Sequence, residues 1–180
     1  MLWSKLGLAL AVIRSSANSR PPIYTPKRRK ASGRGVCDAL TMTSADVEFV
    51  RSIIASWAHG DYRSSGWADP EIELVIADGP EPGVWTGRAG LAAAAREFLS
   101  PLADTRAHAE ELRELDNGRV LALLSYTGRG KASGLEVDAR IAKGAWVFHV
   151  VDERVRRVVR YWDRDRAFAD LGLAPEDRLP

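Results

Sequence analysis

The spacing of apolar residues is mainly helical before Pro101 and mainly strand-like after His108, and that shift decides the class of fold. As far as Pro101, apolar residues mostly recur three and four positions apart, the period of helices with one buried face. From His108 onward they come in short runs divided by tight-turn residues, the period of strands. Helices and a single strand first, then a run of strands, predict an α+β fold, with the helices on one side of a strongly curved antiparallel sheet.

Ser44 is a good N-cap, with Asp46 and Glu48 in the first turn behind it. Val47, Val50, Ile54 and Trp57 then share one face of a helix ending near Gly60. A second, short helix is predicted over Asp61–Trp67. The stretch from Trp67 to Gly87, WADPEIELVIADGPEPGVWTG, holds the one early strand: Ile72, Leu74 and Ile76 alternate with Glu71, Glu73 and Val75. Asp78 stands at its end, before the stiff GPEPG corner, and residues 83–90 are expected as loop. Leu91, Ala94, Ala95, Phe98 and Leu99 give the next helical face, stopped by Pro101.

The strand block begins with His108–Leu115, a turn at Asp116-Asn117-Gly118, and the near-continuous apolar run Arg119–Thr127. GRGKASG, Gly128 to Gly134, is a flexible connection; it lacks the glycine and hydroxyl that a phosphate loop needs. Leu135–Val151 predicts one long strand, bent by a bulge at Lys143–Gly144. Asp152–Arg154 turns into a last strand, Val155–Asp163. Asp163 caps a closing helix, Arg164–Leu171, ended by Gly172.

The chain of 180 residues has room for one domain. Its charge is divided: residues 1–41 hold eight Lys/Arg against Asp38, whereas the rest carries 18 basic and 23 acidic residues. The organisation predicted is a basic leader (1–41), a folded domain (42–174) and a tail (175–180), with Met42 directly ahead of the first helix. An acidic domain argues against nucleic-acid binding by the folded part. The PKRRK run is either a localisation or nucleic-acid patch or a solvated tail. Leu6–Ile13 falls far short of the roughly 20 residues that cross a bilayer, so no membrane partner is expected. Cys37 is the only cysteine, which suits a reducing compartment, and a cytoplasmic location is expected. Three scattered histidines without i, i+4 pairing predict neither a metal nor an organic cofactor.

The order of elements, together with WADPEIELVIADGP, GLEVDA and VVRYWDRDRAFADLGL, resembles the SnoaL-like branch of the nuclear transport factor 2-like superfamily over residues 44–173. The resemblance implies a cone-shaped barrel of curved sheet around a long first helix, a pocket at the wide end, and a homodimer. That superfamily includes ketosteroid isomerases, polyketide cyclases, limonene-epoxide hydrolase and dehydratases, and members that only bind. Asp78 matches the general base of the isomerases. Their oxyanion-donating Tyr and Asp fall on Ile53 and near Trp146, so both donors are absent and ketosteroid isomerisation is not expected. Trp162, inside RYWD, matches a pocket-floor aromatic.

Two readings stand for each candidate residue. Asp78 is either a pocket acid/base or a loop residue capping its own backbone. Arg160 lies two positions before Trp162, on the same strand face; it pairs with Asp78, holds an anionic substrate, or faces outward. His149 is an acid/base or an interface residue, opposite Trp146 and Phe148. Tyr126 is an oxyanion donor or core. Ile53, Trp57, Trp85, Trp146 and Trp162 are walls of a cavity for a small hydrophobic molecule, or plain core. The function expected is a pocket protein working on a hydrophobic substrate by acid/base catalysis, as isomerase, cyclase or dehydratase; the alternative is a non-catalytic binding or dimeric module.

Overall fold

The computed structural model describes residues 44–137 and 142–173. The leader, the tail and the middle of the predicted Leu135–Val151 strand lie outside the described residues. The elements run α1 (Ala45–Ala58), β1 (Ala68–Ile76), β2 (Gly83–Thr86), α2 (Gly87–Leu99), β3 (Leu102–Leu115), β4 (Arg119–Gly130), β5 (Glu136–Val137), β6 (Lys143–Val151), β7 (Arg154–Tyr161) and α3 (Arg164–Leu171).

The fold is α+β: the described residues form three helices and one curved, unclosed sheet, in the order β2-β1-β7-β6-β4-β3, with β5 on β4. Neighbours pair antiparallel except β1 and β7, which run parallel, so the sheet is mixed. Register shifts between Ala68 and Glu73, between Ala103 and Arg106, between Ala109 and Glu111, and between His149 and Val150 mark its irregularities; bulges of this kind bend strands.

Helix α1 begins where its cap predicts. Ser44 Oγ accepts the Val47 N–H at 3.3 Å, a cap worth about 1 kcal/mol. Val47, Val50, Ile53, Ile54 and Trp57 are buried on its inner face, against β3 and β4. Burying each such side chain contributes about 1.5–3 kcal/mol. The continuous apolar run of β4 has a direct cause, because both faces of the sheet are covered there. Val120, Ala122, Leu124 and Tyr126 join the core under α1. Leu121 and Leu123 join a second core with Ala145, Val147, Tyr161 and the α3 residues Ala167 and Phe168.

Four local expectations are corrected. Residues 61–67 form no helix: Asp61 Oδ1 takes the N–H groups of Arg63 (3.0 Å) and Ser64 (3.2 Å), as a helix cap would, but Ser64-Ser65-Gly66 does not carry a helix onward. Residues 83–90 are not loop; Gly83–Thr86 pairs antiparallel with β1, and α2 starts at Gly87. The bulge is not at Lys143–Gly144, which pair in register with Ser125 and Leu124. Glycine is needed at 144 because an added Cβ would lie 2.9 Å from Tyr161 O. Finally, β3 begins at Leu102 and β4 continues to Gly130, so the Gly128–Gly134 connection is half strand.

Candidate functional site

Arg160 is the centre of the site. It stands on β7 between Ile76 of β1 and Trp146 of β6 and is only 6% exposed. Its Cζ lies 4.1 Å from the Phe98 ring centre, 4.2 Å from that of Trp162 and 5.5 Å from that of Trp146. Cation–π contacts of this kind contribute about 0.5–2 kcal/mol each. They do not replace a counter-ion, and no hydrogen-bond acceptor for the guanidinium is found among the described residues. The pairing with Asp78, one of the readings open for Arg160, does not form at ion-pair distance. Burial pushes Arg160 below its ordinary value, with Tyr126 and Asp78 opposing the shift.

Tyr126 and Trp146 lie beside it, and Tyr62 lies near Tyr126. Tyr126 Oη, Tyr62 Oη and Trp146 Nε1 are buried without a hydrogen-bond partner. The Tyr126 ring meets Phe98 edge-on at 5.5 Å. Burial pushes the Tyr126 phenol up to about 12, with Arg160 opposing the shift most strongly. Trp146 Nε1 is near enough to favour a phenolate there, yet the two form no hydrogen bond. Burial raises Tyr62 further still, and the neighbouring Tyr126 adds to the rise. Both phenols therefore stay protonated at neutral pH and can donate. Around them Trp57 stacks on Tyr62 at 6.0 Å and meets Trp146 at 5.2 Å.

Asp78 sits at the edge of this cluster rather than inside it. Its Oδ1 accepts the Trp162 N–H at 2.6 Å and its Oδ2 the Asp163 N–H at 3.1 Å. The carboxylate so ties the end of β1 to the entry of α3 and holds Trp162 over Arg160. Trp162 itself is 43% exposed, the open side of the cluster.

The structure thus brings together Tyr126, Trp146, Arg160 and Trp162, with Asp78 behind Trp162 and Trp57 behind Trp146. Ile53 is buried in the α1 core. Trp85, on β2 level with Leu74, packs on the same core half-buried. His149 is not brought in. It lines a shallow cleft on the other face of the sheet with Arg119, Arg157, Tyr161 and Asp170. Sequence reasoning passed over Tyr62 and took Phe98 only as part of a helical face. An aromatic two residues past a helix-ending glycine was the available signal for Tyr62.

Two supports hold this geometry. Arg164 of α3 donates from Nη2 to Leu124 O (2.7 Å), from Nε to Gly144 O (3.2 Å) and from Nη1 to Glu110 Oε2 (2.7 Å), fixing α3 across β3, β4 and β6. Arg88 of α2 donates twice to Ala68 O, fixing the helix that carries Phe98. Among the described residues no cluster of His, Cys, Asp and Glu could hold a metal, and no helix is long and apolar enough to cross a membrane.

No family model and no curated protein matches the sequence. Solved structures do match the architecture. A nuclear transport factor 2-like protein of unknown function from Burkholderia pseudomallei K96243 is 15% identical, covering 72% of this chain and 98% of that one, with a TM-score of 0.56. A candidate isomerase from Bacillus subtilis is 19% identical over 71% and 92%, with a TM-score of 0.54. A candidate polyketide cyclase from Xanthomonas campestris is 18% identical over 70% and 96%, with a TM-score of 0.53. The chain has the nuclear transport factor 2-like fold, which ketosteroid isomerase-like and polyketide cyclase-like proteins share.

Proposed function

We propose that this is a SnoaL-like small-molecule pocket protein, whose concave sheet face takes a flat hydrophobic molecule carrying an oxygen acceptor. One observation carries the reading: Tyr126 Oη and Trp146 Nε1, both buried without a hydrogen-bond partner, lie beside an Arg160 guanidinium that is held among aromatic rings with no ion pair among the described residues. Buried donors left unmade cost stability, so a fold retains them together where something else completes them. In a catalytic form of this reading, Tyr126 donates to a carbonyl oxygen as it becomes an enolate. Asp78 moves the proton, as in isomerisation, cyclisation or dehydration without a cofactor.

A second reading, binding without chemistry, is favoured by Asp78 itself, because each of its carboxylate oxygens already accepts a backbone N–H. A thermal-shift screen with flat aromatic ketones and acids tests the shared part: no stabilisation by any compound removes the pocket. For a compound that binds, proton exchange at the carbon next to its carbonyl, followed in heavy water, separates the two. Exchange lost in Asp78→Asn supports catalysis; binding without exchange supports the binding module.

A further inference from the structure

Resting on that pocket reading, we infer that the ligand is an organic acid: a planar hydrophobic body whose carboxylate is held by Arg160. The polar set is unbalanced in one direction. Guanidinium and indole N–H groups only donate, and the two phenols donate as well as accept. A molecule that completes the set must bring several lone pairs in one place. A carboxylate brings about four such sites and matches the guanidinium fork. It also brings the charge that the site lacks. Arg160 is 6% exposed, and a buried cation ordinarily has a partner. Among the described residues Asp78 is the one carboxylate whose charge reaches it, and both of its oxygens are engaged at the start of α3. Phe98 and Trp162, each about 4 Å from Cζ, occupy the flanks of the guanidinium. A flat ligand body would extend beside the same rings, entering past Trp162, the exposed member at 43%. An amine is excluded, since it would add a second positive charge with no acceptor to meet it.

The test uses three probes of one shape on the full chain: naphthoate, acetylnaphthalene and naphthylmethylammonium, with binding followed by tryptophan emission and calorimetry. The expected result is naphthoate bound at least about tenfold more tightly than the neutral ketone, and no binding of the amine. In Arg160→Met that preference disappears, while Arg160→Lys, with charge but no fork, keeps part of it. If Arg160→Met fails to fold, the acid preference of the wild type and its reduction in Arg160→Lys carry the test. Equal binding of acid and ketone overturns the inference and leaves the pocket standing. Tighter binding of the amine overturns it too. Binding of none of the three overturns it, with the screen above deciding separately whether any pocket exists.

Discussion

Asp78 and Trp162 are far apart in the chain, yet the Asp78 carboxylate accepts the Trp162 backbone N–H at 2.6 Å. The same side chain accepts the Asp163 N–H, and Asp163 in turn caps α3 through the Asp165 N–H at 2.8 Å. One carboxylate so sets both the wall over Arg160 and the direction of the closing helix. Asp78→Ala should cost about 1–2 kcal/mol, the range for losing a cap and its hydrogen bonds. Asp78→Asn, which keeps one acceptor, should cost less. Urea unfolding measures both, and tryptophan emission should shift red in the alanine variant as Trp162 loosens. Equal stability of wild type and Asp78→Ala would show that the junction does not depend on the carboxylate.

Gly79 is the next constraint on Trp162. Its φ is +94°, and an added Cβ would collide with Trp162 Cδ1. Gly79→Ala combines an unfavourable backbone with a collision, so it should destabilise by about 1–3 kcal/mol and displace the indole from Arg160. Acrylamide quenching of tryptophan, raised in the variant, is the check. Unchanged quenching and stability would contradict the close approach.

The β6–β7 turn stores removable strain. Asp152 and Glu153 both have positive φ, 51° and 57°, in a two-residue hairpin loop between the paired Val151 and Arg154. Turns of this kind favour Asn-Gly. The double variant Asp152→Asn, Glu153→Gly should gain about 1 kcal/mol. The Asp152–Arg156 ion pair that it gives up is 3.7 Å long and exposed, which is worth little. A lower melting temperature would mean that the pair matters more than the backbone.

Tyr126 predicts an alkaline limit. Its folded pKa is about 12 against an ordinary 10. A group raised on folding contributes its stabilisation fully below pH 10, and that contribution is lost as pH rises through 12. The loss from this residue should be on the order of 2 kcal/mol. Tyr62 and Tyr161 are raised as well, so Tyr126→Phe should soften the alkaline decline without abolishing it. Stability measured between pH 9 and 12 gives the result; identical slopes in wild type and variant would contradict the burial of this phenol.

The helix ends and the hairpins were legible because they are written in local chemistry. Ser44, Asp163 and Gly172 do what their types prefer, and Asn117-Gly118 turns with the expected positive φ. Asp61 shows the limit of the same signals: its carboxylate makes a cap-like turn, and the chain beyond it goes instead to place Tyr62 against Trp57. Strand β2 carries four residues, too few to show a period, and exists through its pairing with β1. The shared face of Arg160 and Trp162 followed from alternation. Phe98 joining them did not, since nothing local says which side of the sheet the end of α2 covers. His149 was separated from Trp146 by the same alternation, and the structure keeps them on opposite faces.

The parallel pairing of β1 with β7 also sets a timetable. As the chain is made, β1 can form only its hairpin with β2, and its other edge waits for the last strand of the sheet. Contacts between such distant segments close slowly. Until β7 emerges, that edge of β1 keeps its backbone N–H and C=O groups unpaired and open to strands of neighbouring chains, so the newborn protein passes through a window in which it is prone to stick before it is able to work.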